Sequence, residues 1–201
     1  MHPNPAFRGT PDATALGLAA ARGFGILSVS ADPVPLMAHV PFLVVGDHVE
    51  LHLVRSNPIA RQAVGPAVIA VSGPDGYVSP DWYDLPDQVP TWNYVAVHLS
   101  GQLERRPQEE IRAFVDRLSS AFEERLAPKP PWHSNKMTAE VRDRMLRTIV
   151  PFRLWIERVE STVKLGQNKP EAARIAASGR LSLGHEVAAL ARLMRDPPAG
   201  A

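Results

Sequence analysis

The period of the hydrophobic positions changes several times along this chain, and each change marks an element. Asp12 to Arg22 is alanine-rich, with Asp12 placed to cap its start and Gly23 to stop it, so a helix is predicted. Phe24 to Ser30 is a short apolar run and reads as a first strand. Leu36 to Val45 is apolar on both alternating faces, which predicts a strand covered on both sides. Gly46-Asp47 is a turn signal, after which Val49, Leu51 and Leu53 alternate with Glu50 and His52 to complete a hairpin. Asn57 to Val64 is expected to be a short helix with Asn57 as cap and Pro58 in its first position. Ala67 to Ser72 is a further strand. Gly73 to Gln88, rich in Gly, Pro, Asp and aromatics, predicts a long ordered loop. Thr91 to Glu104 predicts a long strand with Val95, Val97, Leu99 and Leu103 on one face.

The second half turns helical and then returns to alternation. Ile111, Phe114, Val115, Leu118 and Phe122 recur at helical spacing within Gln108 to Leu126. Thr138 to Ile149 is expected to be a second helix with Val141, Met145 and Ile149 as its inner stripe. Between these two, Lys129-Pro130-Pro131-Trp132 reads as a linker. Phe152, Leu154 and Ile156 alternate as a strand; the phase slips near Arg158, and Val159, Ser161, Val163 and Leu165 resume it, as across a β-bulge. Short helices are expected around Pro170 to Ala177 and Leu183 to Met194, and a disordered tail over Asp196 to Ala201. The pattern describes a mainly β, α+β chain: a small barrel or sheet with helices packed outside. Residues 1–178 are expected to form one domain, and 179–201 a C-terminal helical extension with its tail.

Composition narrows the partners. The 22 basic and 21 acidic side chains leave a formal net charge of +1. A chain that grips a duplex by itself carries a clear basic excess, so direct DNA binding is not expected. The 20 prolines sit mostly at boundaries and imply short elements joined by tight corners. There is no cysteine, which excludes disulfides and thiolate metal sites. The polar start, Met1 to Thr10, lacks the apolar stretch of a signal peptide, and no apolar run approaches the roughly 18 residues of a membrane span. A cytoplasmic location is the expectation. No metal site, dinucleotide fingerprint, Walker loop or nucleophile triad is predicted.

Several blocks resemble the PaiB family of FMN-binding negative transcriptional regulators. They are His39-Val40-Pro41-Phe42, His52 to Pro58, Gly73-Pro74, Tyr77 to Tyr83, Val89 to Tyr94, Ala96-Val97-His98, Pro131-Trp132 and Lys164 to Lys169. The resemblance covers roughly residues 1 to 175, and its most specific part runs from Tyr77 to His98. It implies a split β-barrel related to pyridoxamine phosphate oxidases, with peripheral helices, forming a homodimer that holds FMN between subunits. Three features depart from the family pattern. The chain starts Met-His-Pro rather than Met-Tyr-x-Pro, Gly166 stands where serine is usual, and nothing after about Ala177 aligns.

Under that resemblance the candidate cofactor residues are His39, Val40, Pro41, Arg55, Ser56, Asn57, Arg61, Trp92, Asn93, Tyr94, Lys164, Gln167 and Asn168. Arg55, Ser56 and Asn57 end a strand and open a helix, where free backbone N–H groups and a charged fork suit a phosphate; Arg61 lies one turn on. An ordinary capped helix with surface arginines would look the same. The His39 strand is expected to lay its backbone along the isoalloxazine edge; without the resemblance His39 reads as a satisfied buried histidine. Trp92, Asn93 and Tyr94 offer stacking faces and an amide for a pyrimidine edge, or else the aromatic core of an interface. Lys164, Gln167, Asn168 and Lys169 could reach the partner's flavin, or form a solvated loop. Three functions follow: an FMN-binding regulator acting indirectly, a flavin-dependent oxidoreductase on a haem-related or pyridoxamine-like compound, or a cofactor-free interaction module.

Overall fold

A computed structural model describes residues 1–181 and 185–198 of the chain. Its helices are α1 (Asp12–Arg22), α2 (Ile111–Glu123), α3 (Ala139–Leu146), α4 (Glu171–Arg180) and α5 (His185–Arg195). Its strands are β1 (Phe24–Val29), β2 (Leu36–Val45), β3 (His48–Val54), β4 (Pro66–Val78), β5 (Thr91–Arg105) and β6 (Ile149–Lys164). The six strands form a closed antiparallel barrel in the order β1-β2-β3-β6-β5-β4. Two compact units divide the chain: one of Gly23–Ile69 and Leu99–Arg158, the other of Met1–Arg22, Ala70–His98 and Val159–Ala201.

In the first of these units β1 pairs with β2, β2 with β3, and β3 with β6, in registers that set Phe42 opposite Leu51 and Glu50 opposite Arg153. Because side chains alternate, Ala38, Val40 and Phe42 turn inward to meet Leu27, Leu51 and Leu154. The other face of β2 is not covered, contrary to the sequence expectation. Met37 is 61% exposed and His39 lies on the surface beside Phe24. Gly101 has no room for a side chain: a Cβ there would stand 1.7 Å from the carbonyl oxygen of Trp155. Close backbone approach therefore dictates glycine at this point of the barrel.

Helix α2 lies on the outer face of β3. Its Arg117 reaches Glu50, and its Phe114 ring meets His52 edge-on at 6.3 Å. Alternation had marked Glu50 and His52 as polar; what it could not show is that a helix covers them. Helix α3 is shorter than predicted. Val141 and Met145, expected to face inward, are 36% and 55% exposed, and Ile149 is the first residue of β6. Along β6 and just past its end the buried large hydrophobic side chains change from Val150, Phe152 and Leu154 to Val163 and Leu165, so the predicted change of phase is present, while Pro151 and Thr162 on the opposite parity are buried as well.

In the second unit β4 continues through Val78, where a loop had been expected from Gly73 onward. Gly73 and Pro74 misled the reading, because both usually end strands. Here a Cβ on Gly73 would come within 2.9 Å of the Val95 Cβ, so glycine serves strand packing rather than a turn. Helices α4 and α5 cover a core of Val78, Tyr83, Val95, Val163, Leu165, Leu190 and Met194. The start of the predicted helix from Leu183 lies outside the described residues, as does the end of the predicted tail, Ala199, Gly200 and Ala201. No helix among the described residues is long and apolar enough to cross a membrane.

Candidate functional site

The predicted site residues fall into two groups, one in each unit. The first lies on β2 and just beyond β3. Val40 is buried with its side chain in the barrel, so only its backbone is available to a ligand at the surface. His39 and Phe24 stack at a ring separation of 6.3 Å with 28° between their planes. Together with half-buried Pro41 they make a flat, partly aromatic surface strip.

Beyond β3 the expected helix over Asn57 to Val64 is a single turn of 3-10 helix, Pro58–Arg61. Asn57 caps it as foreseen, its Oδ1 accepting from the Ile59 N–H at 2.9 Å. A turn this short carries almost none of the dipole that was to attract a phosphate. What remains is side-chain chemistry. Ser56 and Arg61 are exposed, while Arg55 donates from Nε to the Arg147 carbonyl at 3.0 Å and from Nη2 to Gln108 Oε1 at 2.7 Å. Arg55 thus ties the end of β3 to the chain before β6, and Arg61 is the arginine with no such duty.

The second group begins at β5. Trp92 is 52% exposed, donates to Asp75 at 3.0 Å, and meets Tyr77 edge-on at 6.4 Å. Tyr94 is half-buried. Asn93 is almost fully buried: its Nδ2 meets the Met194 thioether at 3.5 Å, and among the described residues its Oδ1 has no hydrogen-bond partner. Beside it the Tyr83 hydroxyl is also buried without a hydrogen bond. Burial pushes the Tyr83 phenol up; the nearby Asn93 amide opposes this more weakly. These orphaned groups belong to the stretch from Tyr77 to His98, and α5 sits on them.

Past β6 the predicted polar loop is a folded turn. Gly166 takes φ +80°, a left-handed conformation that favours glycine. Gln167 holds the turn together, accepting from the Leu165 N–H at 2.8 Å and donating to the carbonyls of Val163 and Ala6. It is therefore a structural residue. Asn168 is exposed. Lys164 donates to Thr91 Oγ1 at 2.5 Å and to the Trp92 carbonyl at 3.0 Å, and burial lowers its pKa, helped by Lys169. Lys169 stands 4.6 Å from the centre of the Tyr83 ring and also bonds Gln88. Sequence reasoning missed Arg174, which is buried and donates to the last carbonyls of α5, those of Met194 and Arg195. A cation at a helix C-terminus is favourable. An arginine in an alanine-rich helix gave no hint of that role.

FMN requires a cationic place for its phosphate, a flat face for its ring and donors or acceptors for the pyrimidine edge. Exposed Arg61 and Ser56 and the Phe24–His39 strip fit the first two needs. The residues present therefore suit the group, and when bound it supplies electron-transfer chemistry.

The comparisons agree. The chain is 28% identical over 154 residues to the protease synthase and sporulation protein PAI 2 of Bacillus subtilis, covering 74% of this chain and 73% of that one. Its fold is similar to that of the FAD and heme binding protein of Mycobacterium smegmatis, with a TM-score of 0.56 at 18% identity, over 78% of this chain and 72% of that one. It is also similar to the flavocytochrome Anf3 of Azotobacter vinelandii, with a TM-score of 0.54 at 19% identity, over 82% and 72% respectively. The family described as "Putative FMN-binding domain" matches residues 1–158, and the chain accordingly belongs to that FMN-binding family.

Proposed function

We propose that the chain acts as an FMN-binding homodimer of the PaiB type that lowers target-gene expression indirectly. The observation that carries the reading is the uncovered face of β1 and β2. Phe24 is 42% and Met37 61% exposed, and Val34, in the turn between the strands, is 64% exposed. A strip of this kind beside Ser56 and Arg61 suits a flavin with its phosphate at the basic end, and a second copy to cover what the flavin leaves open. The name of the Bacillus relative, protease synthase and sporulation protein, supports a regulatory rather than a purely metabolic role. Indirect action follows from charge. A dimer carries a formal charge of only about +2, against the six to ten phosphate contacts of a strong duplex binder. A reduced or flavin-free state, a metabolite or a partner protein would then convey the signal.

Titration of FMN and riboflavin into the flavin-stripped protein tests the site. FMN should bind at micromolar concentration or below with quenched fluorescence. Arg61→Ala should weaken FMN by about ten- to a hundredfold, the equivalent of roughly 1.5–3 kcal/mol for a charge-assisted contact, and leave riboflavin unchanged. Light scattering should return twice the 22.0 kDa chain mass. Equal weakening of both flavins would refute the phosphate assignment. A monomer mass would refute the dimer, and nanomolar binding to upstream DNA in competitor would refute indirect action.

A further inference from the structure

The second unit contains a pocket of about 430 Å³ that the flavin reading does not use. Its side walls are α1 and α5, and its floor is β4 and β5. Leu18 comes from α1, Val71 from β4, Val95 from β5 and Leu193 from α5. Gly73 adds no side chain to this floor, where a Cβ would come within 2.9 Å of the Val95 Cβ. Pockets that take small ligands have volumes on the order of 300–1,000 Å³ and mainly apolar walls, and this one has both.

Charge distinguishes it from a simple packing defect. The lining carries two charged residues, and both are arginines: Arg22 at the end of α1 and Arg192 in the last turn of α5. Among the described residues no acidic side chain lines the pocket and neither arginine is in an ion pair. Each guanidinium also lies near a helix C-terminus, where it favours its own helix. That role needs only one arginine per helix; it does not require both to border the same apolar cavity. Two forks at the rim of an apolar pocket suit one planar anion whose remaining body is apolar.

We propose that this pocket binds an amphipathic carboxylate of medium chain length, its chain against Leu18, Val71, Val95 and Leu193 and its carboxylate between Arg22 and Arg192. The site does not depend on flavin. The protein would thereby sense an apolar acid through α5, the helix that also covers Asn93 and Tyr83.

Calorimetric titration of the full-length protein with decanoate, decanol and decyltrimethylammonium, all below micelle-forming concentrations, tests this. Decanoate should bind with micromolar affinity and decanol at least tenfold more weakly, with no binding of the cation. Arg22→Ala combined with Arg192→Ala alters only exposed side chains, and should reduce decanoate to the level of decanol. Ala189→Trp should fill the pocket and abolish binding of both. Bound FMN, read from the visible spectrum of the same samples, reports separately on the flavin site. Equal affinity for decanoate and decanol, binding of the cation, an unaffected double-arginine variant, or no heat up to millimolar decanoate would each overturn the proposal.

Discussion

Glu50 is the point at which the outer face of β3 depends on charge. Its carboxylate is 4% exposed and receives Arg117 Nη2 at 2.8 Å, Arg117 Nε at 3.1 Å and Arg153 Nη2 at 3.1 Å. The two arginines are not equivalent. Arg153 faces Glu50 across the β3–β6 pair with 18% of its side chain exposed, whereas Arg117, from α2, is 48% exposed. Breaking a buried pair from one side costs about 3–5 kcal/mol, because the partner is left charged and dry. Half of this network is wet, so the loss in Glu50→Ala should lie near the lower end, about 3 kcal/mol. Glu50→Gln keeps the shape and one acceptor and should lose about 1.5–3 kcal/mol. Arg117→Met should lose about 1 kcal/mol or less, as an exposed pair does. Urea denaturation with double-mutant cycles measures each term. The coupling of Glu50 to Arg153 should exceed its coupling to Arg117. A larger Arg117 coupling, or a Glu50→Gln variant within about 0.5 kcal/mol of the native protein, would refute the account based on burial.

Two other positions give direct tests. Burial lowers the pKa of His52, and also that of His98, where the N-terminal charge adds to the effect and Glu160 opposes it. Above the ordinary histidine value of about 6.5 both folded and unfolded states are neutral and stability is full; below it the unfolded chain takes protons first, so stability falls with pH until the folded pKa is passed. His52→Phe, which keeps a ring against Phe114, should show a smaller drop in urea midpoint between pH 7.5 and 5.5, and an unchanged drop would assign the effect elsewhere. Gly166→Ser restores the usual family residue at a backbone with φ +80°. The nearest atoms to a Cβ there lie 3.8–3.9 Å away, so the loss should be that of the backbone alone, about 1–2 kcal/mol; a neutral or stabilising result would contradict the left-handed turn.

Elements whose pattern records burial were legible from the residues. Helix α1 and strand β2 begin and end where caps and alternation placed them. The change of phase in β6 is visible because the large hydrophobic side chains it buries change parity between the two halves of the strand. Errors arose where a residue type has two physical uses. Gly73 was read as a turn former, yet its role is to let β4 lie against Val95. Val141 and Met145 have the spacing of a buried stripe on a helix that buries nothing, because apolar spacing cannot tell a covered face from an open one.

The candidate site shows the same limit more sharply. At Arg55 a strand end with an arginine looks like a phosphate cradle, but the fork is engaged by Arg147 and Gln108, whose positions are not set by the local sequence. Gln167 was chosen as a reaching donor and instead closes its own turn. Asn93 was chosen as an open amide and is nearly sealed under Met194. Its sealing is energetically informative. A buried amide oxygen and a buried phenol without partners each carry a penalty of about 1–3 kcal/mol. The contact offered in return is a thioether, a weak acceptor. The arrangement is held by apolar contacts of Leu190 and Met194 and by Arg174 at the end of α5, all of them contributed by residues after 158, where the family match ends. The polar side chains of the candidate site and the element that covers them therefore lie in different parts of the chain. A reading that proceeds block by block finds the first and has no means of seeing the second.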